Sequence, residues 1–493
     1  MGRSPAHLID TSIIVLALKK GLTLGAVRLI KFSRGLVASM HGAFTEAADA
    51  AIAVHLISTA DWPGSQARLP KQVAAFAKAL AFTGAAGQSV NIPGEDGQLE
   101  TVLYGVGDGT DALIVAGLSQ KLPAGIYRID RIPENMPFSW IAAGWADGAY
   151  RFERYLSGSG SLPRLEIPTA EDAAAISLEA TAIDEVRTLV NTPACDMGPD
   201  QIEQAVRDLA GEYGADVSSI VGDGLLEANY PMVHAVGRAG AVAPRIVELS
   251  WGKSSDPELA IVGKGVSFDS GGLNIKTGNF MRIMKKDMGG AAHAIGLARL
   301  VMGAALPVRL KLYIPTVENA ISGNAFRPGD VLQSRAGITV EIDNTDAEGR
   351  LILGDALARA SEGSPDLIVD FATLTGAARV ALGPDLAPFY TDDDDLAASI
   401  VTGADASGDP AWRMPLWSSY MGMLKSSIAD CANSGGRMAG SITAALFLKQ
   451  FVSAKAWVHL DVWAWREAKY GRPAGGAACG LRAVWTALQN RYG

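Results

Sequence analysis

The sequence predicts an α/β protein: a small amino-terminal α/β domain, then a larger domain with a mostly parallel sheet flanked by helices. Three observations carry this. Apolar runs of strand length, such as Leu259 to Val262 and Leu367 to Phe371, alternate with stretches of helical periodicity, the pattern of a sheet covered on both faces. A turn-rich stretch, Ser157 to Ser161 followed by Pro163, breaks the pattern and reads as a linker. The 493-residue length suits two domains and an extension better than three domains of ~150 residues.

Taken in order, residues 1 to 45 carry Arg3, Lys19, Lys20, Arg28, Lys31 and Arg34 against a single acid, Asp10. Its apolar run, Ser12 to Leu18, is too short for a membrane span, and no convincing cleavage site follows. A targeting helix, an unstructured leader and a true start at Met40 all fit this basic extension. Residues 46 to 165 mix short apolar runs, Ala51 to Ile57 and Ala112 to Gly117, with a helical stretch from Leu69 to Phe82, which implies the small α/β domain. Ala170 to Leu189 reads as a connecting helix into the domain spanning 166 to 493. There the expected strands are Arg245 to Leu249, Leu259 to Val262, Leu310 to Ile314, Ile338 to Ile342, Leu367 to Phe371 and Trp457 to Val462. The acid run Asp392 to Asp395 is expected to be a solvated surface turn.

Composition excludes several functions. A hydrophobic fraction of 48% with 19% charged residues is ordinary for a globular chain. A net charge of −9 argues against nucleic acid as a partner, because such binding rests on neutralising phosphates. Cys195, Cys431 and Cys479 lack the paired spacing of a disulfide framework or zinc ribbon, which points to a reducing compartment. The six histidines are scattered, so no H-E-x-x-H helix exists, and His293 and His459 are expected to be packed rather than ligating.

Chemistry concentrates at Ile342 to Leu351, where Asp346, Glu348 and Arg350 fall at every second position. If the segment is extended, these side chains point the same way and share one crevice between the Ile338 to Ile342 strand and a helix from Arg350 to Arg359. Two carboxylates so close repel unless a cation lies between them; taken alone, they could equally be acids favoured by a helix amino terminus. Two upstream segments enlarge the cluster. Gly263 to Gly272 brings Lys264 and Asp269, with Lys276 seven residues on, and Met284-Lys285-Lys286-Asp287-Met288-Gly289-Gly290 opens a helical run. Gly263-Lys264-Gly265 lacks the frame of a nucleotide phosphate loop.

These three segments, with Asn344-Thr345-Asp346-Ala347-Glu348-Gly349-Arg350-Leu351 intact, resemble the M17 leucyl aminopeptidases, also called cytosol aminopeptidases. Asp370 to Ala377 and Asn433 to Ser441 match as well, and the likeness covers about 185 to 460. The family's Asn-x-Pro-x-Asn departs at Cys195. The resemblance implies that 166 to 493 is a metallopeptidase domain with ligands Lys264, Asp269, Asp287, Asp346 and Glu348. It also implies catalytic Lys276 and Arg350, a pocket for the first side chain at Met284, Thr373 and Gly376, two divalent ions (Zn or Mn) per subunit, and bicarbonate at Arg350. It further implies a cytoplasmic homohexamer acting on peptides with a free amino terminus, with a leucine-type preference. Some relatives bind DNA through the amino-terminal domain, which this acidic composition does not support.

The chemistry is coherent. Four carboxylates balance two divalent cations if Lys264 binds as a neutral amine, and a water between such ions is acidified towards about 7. Lys276 would stabilise an oxyanion and Arg350 fork-bind a small anion. Asp287 and one ion would hold the α-amine, which explains an exopeptidase. Two alternatives use the same residues. A two-metal phosphoesterase would call for more cationic contacts than Lys276 and Arg350 provide, and a non-catalytic hexameric binding protein would have lost a ligand.

Overall fold

The structure, a computed structural model, describes residues 40–48, 50–156, 158, 160–468 and 472–493. The basic extension before Met40, with its three readings, lies outside the described residues. Two sheets organise the rest. The smaller has six strands in the order Phe44–Thr45, Pro163–Glu166, Gly125–Arg131, Ile52–Ile57, Leu99–Gly105, Ser89–Pro93, all parallel except the last pair.

At the centre of the larger, nine-stranded sheet, Arg309–Asn319, Glu258–Gly263, Leu367–Ala372 and Trp457–Asp461 run side by side and parallel. Arg245–Trp251, Asp216–Val221 and Ala387–Tyr390 add antiparallel pairings towards the edges, so the sheet is mixed with a parallel heart. Glu258–Gly263, Leu367–Ala372 and Trp457–Asp461 are buried at every residue and largely apolar because both faces are covered. Leu259 and Ile261 enter the core on one face with Val369 and Phe371, while Ala260 and Val262 enter the opposite core with Ile368 and Ala372. Helices Gly289–Gly303 and Leu481–Tyr492 cover the first face, and Pro231–Gly237, Gly349–Ser361 and Gly440–Lys449 the second.

Helix Ala170–Asn191 joins the two sheets. Thr169 caps it by accepting from the Asp172 backbone N–H, and its Leu178, Ala182 and Val186 pack in the larger core while Ala173 and Ala180 pack in the smaller one.

Several elements differ from the sequence reading. Ile338 to Ile342 yields only Thr339–Glu341, which pairs with Val331–Gln333 and Cys431–Ala432 in a separate three-stranded sheet. Alternation shows that one face is covered, not which sheet covers it. Ala112 to Gly117 is no strand: it ends in a helical turn, Ala116–Ser119, buried at every residue, and a short apolar run does not discriminate the two. The Leu69 to Phe82 helix shortens to Lys71–Ala79 behind Pro70. The acid run is a helix start: the Asp393 side chain accepts from the Leu396 N–H and opens Asp394–Ser407, with Asp394 and Asp395 exposed in its first turn. Among the described residues, no helix is long and apolar enough to cross a membrane.

Candidate active site

The carboxyl ends of the central strands converge on one cavity of about 520 Å³. Lys264 follows Glu258–Gly263, Asp269 ends Gly265–Asp269, Thr373 follows Leu367–Ala372, and Val462 follows Trp457–Asp461. Asp287 arrives from the 3-10 helix Gly278–Met288, just ahead of Gly289–Gly303. That helix is drawn against the sheet at Gly290, where a Cβ would lie 2.3 Å from the Phe371 carbonyl oxygen. Beyond Asp269 the chain reverses through Gly271 and Gly272, at φ +87° and +61°, and a Cβ on Gly271 would stand 3.0 Å from Asp346 Oδ1. Small residues thus let the backbone close on the acids.

Carboxylate oxygens of Asp269, Asp346 and Glu348 all lie within 4.8 Å of one another. Two lysines thread the cluster. Lys264 Nζ stands 2.6 Å from Asp287 Oδ2 and 3.0 Å from Glu348 Oε1, and it donates to the Thr373 carbonyl at 2.8 Å. Lys276 Nζ stands 2.8 Å from Asp269 Oδ2 and 2.5 Å from Asp346 Oδ1. Burial works against both ammonium groups, yet the surrounding carboxylates hold both above their ordinary pKa. Burial, reinforced by Asp269, raises Asp346 and Glu348, whereas Lys264 holds Asp287 low against its own burial. Glu348 Oε2 is buried with no hydrogen-bond partner, and Asp287 Oδ2 and Asp346 Oδ1, although close to lysines, take no well-aligned hydrogen bond. Buried acid oxygens left so are what a hard cation requires.

Of the residues the sequence nominated, Lys264, Asp269, Lys276, Met284, Asp287, Asp346, Glu348, Thr373 and Gly376 all line this cavity. The predicted extended alternation is not the reason. Asp346 sits in a turn and Glu348 has helical dihedrals, so the chain delivers both acids by winding into the helix. Arg350 therefore does not share the crevice as expected. It is buried in the first turn of Gly349–Ser361, where its Nη1 donates to the Asn433 carbonyl at 2.8 Å, its Nε has no partner, and burial lowers it to about 10. Thr373 Oγ1 donates to Asp287 Oδ1 at 2.8 Å and so orients that acid. His293 and His459 are both fully buried, as expected of packed histidines.

Other residues at the site carry no signal in the residue pattern. Asn319 Nδ2 donates to Asp269 Oδ1 at 2.8 Å. Asn433 accepts from the Asp343 and Asn344 N–H groups and ties down the acid loop, although its segment had matched the family. Asp461 accepts from the Leu374 and Thr375 N–H groups and the Thr375 hydroxyl. Lys286 and Arg379 both pack on Trp463, at 3.9 and 4.3 Å from its ring centroid, and burial pulls the Lys286 ammonium down to about 8.

An acid and lysine cluster in a cavity at the carboxyl ends of parallel strands is the site of an α/β enzyme. Comparison with known proteins narrows the class. Residues 184–485 match the catalytic domain of the cytosol aminopeptidase family, and residues 53–168 match the M17 aminopeptidase amino-terminal domain. The chain belongs to this family, the M17 aminopeptidases. It is 36% identical over 464 residues to a probable cytosol aminopeptidase of Syntrophotalea carbinolica, covering 83% of this chain and 92% of that protein. The crystal structure of a cytosol aminopeptidase from Coxiella burnetii superposes with a TM-score of 0.86 at 44% identity, covering 91% of this chain and 99% of that one. The bottromycin maturation enzyme BotP in complex with Mn gives 0.81 at 33% identity, covering 90% and 99%.

Proposed function

We propose that this chain is a metal-dependent aminopeptidase that removes residues from the free amino terminus of peptides. The observation that carries the reading is the convergence of nine nominated residues on one cavity, with three acids inside 4.8 Å and buried oxygens lacking partners. Lys264, Asp269, Asp287, Asp346 and Glu348 would hold two divalent ions, zinc or manganese, and the Mn bound to the related BotP accords with this donor set. Such ions supply Lewis acidity and acidify a water for attack on the peptide carbonyl.

This chain's own residues do the rest. Asp287, oriented by Thr373, takes the substrate's α-ammonium. Lys276 presents a fixed positive charge to the developing oxyanion. Arg350 lies off the cavity lining with Nη1 donating to the Asn433 carbonyl, so a small anion such as bicarbonate would bind beside the cavity on its unsatisfied Nε edge. Met284 and Thr373 form the wall against which a leucine-type first side chain rests. The family's naming and the three free cysteines favour the cytoplasm, and a homohexamer is the assembly we expect.

The test is release of the first residue from short peptides by the purified chain. Activity should vanish on exhaustive chelation, return with zinc or manganese, and be absent on amino-terminally acetylated peptides. Full turnover by protein shown metal-free by elemental analysis sinks the proposal.

A further inference from the structure

We propose that Lys286, Trp463 and Arg379 form a subsite for a carboxylate on the first side chain of the substrate, so that amino-terminal glutamate is selected over its neutral isostere glutamine. This rests on the aminopeptidase reading above and deepens it. Lys286 is only 2% exposed, lines the cavity, and has no hydrogen-bond acceptor or ion-pair partner among the described residues. What its ammonium meets instead is the face of Trp463, 3.9 Å away. A cation on an aromatic face recovers only part of the hydration that burial removes, so a desolvated ammonium left without an anion is an open half of a charge pair.

Arg379, exposed and likewise unpaired among the described residues, lies 4.3 Å from the same ring and lines the same cavity. Two cations on one indole repel each other unless an anion joins them. No acid of the cavity is free to do so. Asp269, Asp287, Asp346 and Glu348 face Lys264 and Lys276, and Asp461, next to the cavity-lining Val462 but not itself in the lining, already accepts three hydrogen bonds from Leu374 and Thr375. The missing anion must come with the substrate. Met284, two residues before Lys286, lines the same cavity, so a side chain with an apolar stem and a terminal carboxylate matches both features.

The experiment measures kcat/KM of the metal-loaded full chain on glutamyl, glutaminyl and leucyl coumarin amides, which carry no carboxylate other than that of the glutamyl side chain. Glutamyl should exceed glutaminyl by about 10-fold or more, the value of one charge-assisted hydrogen bond. Lys286→Met should bring the ratio near 1, and Lys286→Arg should keep it; because a ratio is read within each variant, a general loss of activity or folding cancels. A native ratio of 1 or below, or a ratio that survives Lys286→Met, overturns the proposal. So does an acidic preference that appears only for the second residue, read with Leu-Glu and Leu-Gln amides. If no amide is cleaved even with metal, it is the aminopeptidase reading that has failed. Calorimetry of free glutamate against glutamine then decides the subsite: tighter glutamate binding upholds it and equal binding refutes it.

Discussion

Lys264 and Lys276 are alike in composition and unlike in place. Lys264 is 3% exposed and held by Asp287, Glu348 and the Thr373 carbonyl at the end of a buried strand, a position from which it can serve as a neutral ligand once cations outweigh those acids. Lys276 comes from beyond the Gly271-Gly272 turn and is more open, at 13% exposed, as a charge facing a substrate should be. Lys264→Ala should therefore lose one of two metals. Lys276→Ala should keep both and lose kcat, by about 10²-fold as for other oxyanion stabilisers. Metal stoichiometry beside kcat for each variant decides this, and two tightly held metals in Lys264→Ala would reverse the assignment.

Elements at the site are held by groups far from the chemistry. Helix Gly289–Gly303 begins two residues after Asp287, and His293, one turn in, pins it to the carboxyl-terminal segment. His293 Nδ1–H donates to the Gly289 carbonyl at 2.6 Å, and Nε2 accepts from the Cys479 N–H at 2.9 Å, so a second ring proton would point at another donor. Complete burial accordingly lowers its pKa to about 4, against weaker opposing effects of Gly289 and Asp409. The unfolded chain binds this proton near pH 6.5 and the folded chain only near 4. The stability contribution is thus intact above about 6.5 and falls as pH drops towards 4, by at most about 3 kcal/mol. Denaturant melts from pH 7 to 4 should show this slope, and His293→Gln, which keeps a donor and an acceptor but does not titrate, should flatten it. An unchanged slope would mean that other groups set the acid limit.

At the scale of the whole molecule, Ala170–Asn191 contributes to both cores, so the smaller domain is bound to the catalytic sheet by packing as well as by chain connection. The first described residues belong to that assembly. Met40 packs on the smaller core, His41 Nε2 lies 3.0 Å from Asp184 on the joining helix, and Phe44–Thr45 pairs with Pro163–Glu166. A chain started at Met40 should therefore keep the activity, thermal midpoint and particle size of the full chain, measured by peptide turnover, calorimetry and light scattering. Aggregation of the shortened chain would show that the basic extension belongs to the fold.

Local pattern was enough for the parallel heart of the sheet, because strands buried on both faces are largely apolar, and for placing Asp346 and Glu348 in one loop; the rest of the nominated site came from the resemblance to a known family. Thus Leu259 to Val262 and Leu367 to Phe371 were legible. Pattern also misled in definite ways. Alternation in Ile338 to Ile342 could not tell the main sheet from the small one, and spacing by two in Asp346, Glu348 and Arg350 looked extended where the chain winds into a helix and leaves Arg350 off the cavity lining. Contacts between distant segments leave no local trace. Asn319 on Asp269, Asn433 on the acid loop and Lys286 with Arg379 across Trp463 join residues 50 to 177 positions apart. The sequence by itself determined the fold class and the kinds of residue at the site. Only the tertiary structure decided which side chains orient them and which cation stays unpaired, because pairing depends on distance in space and periodicity reports only a residue's own segment.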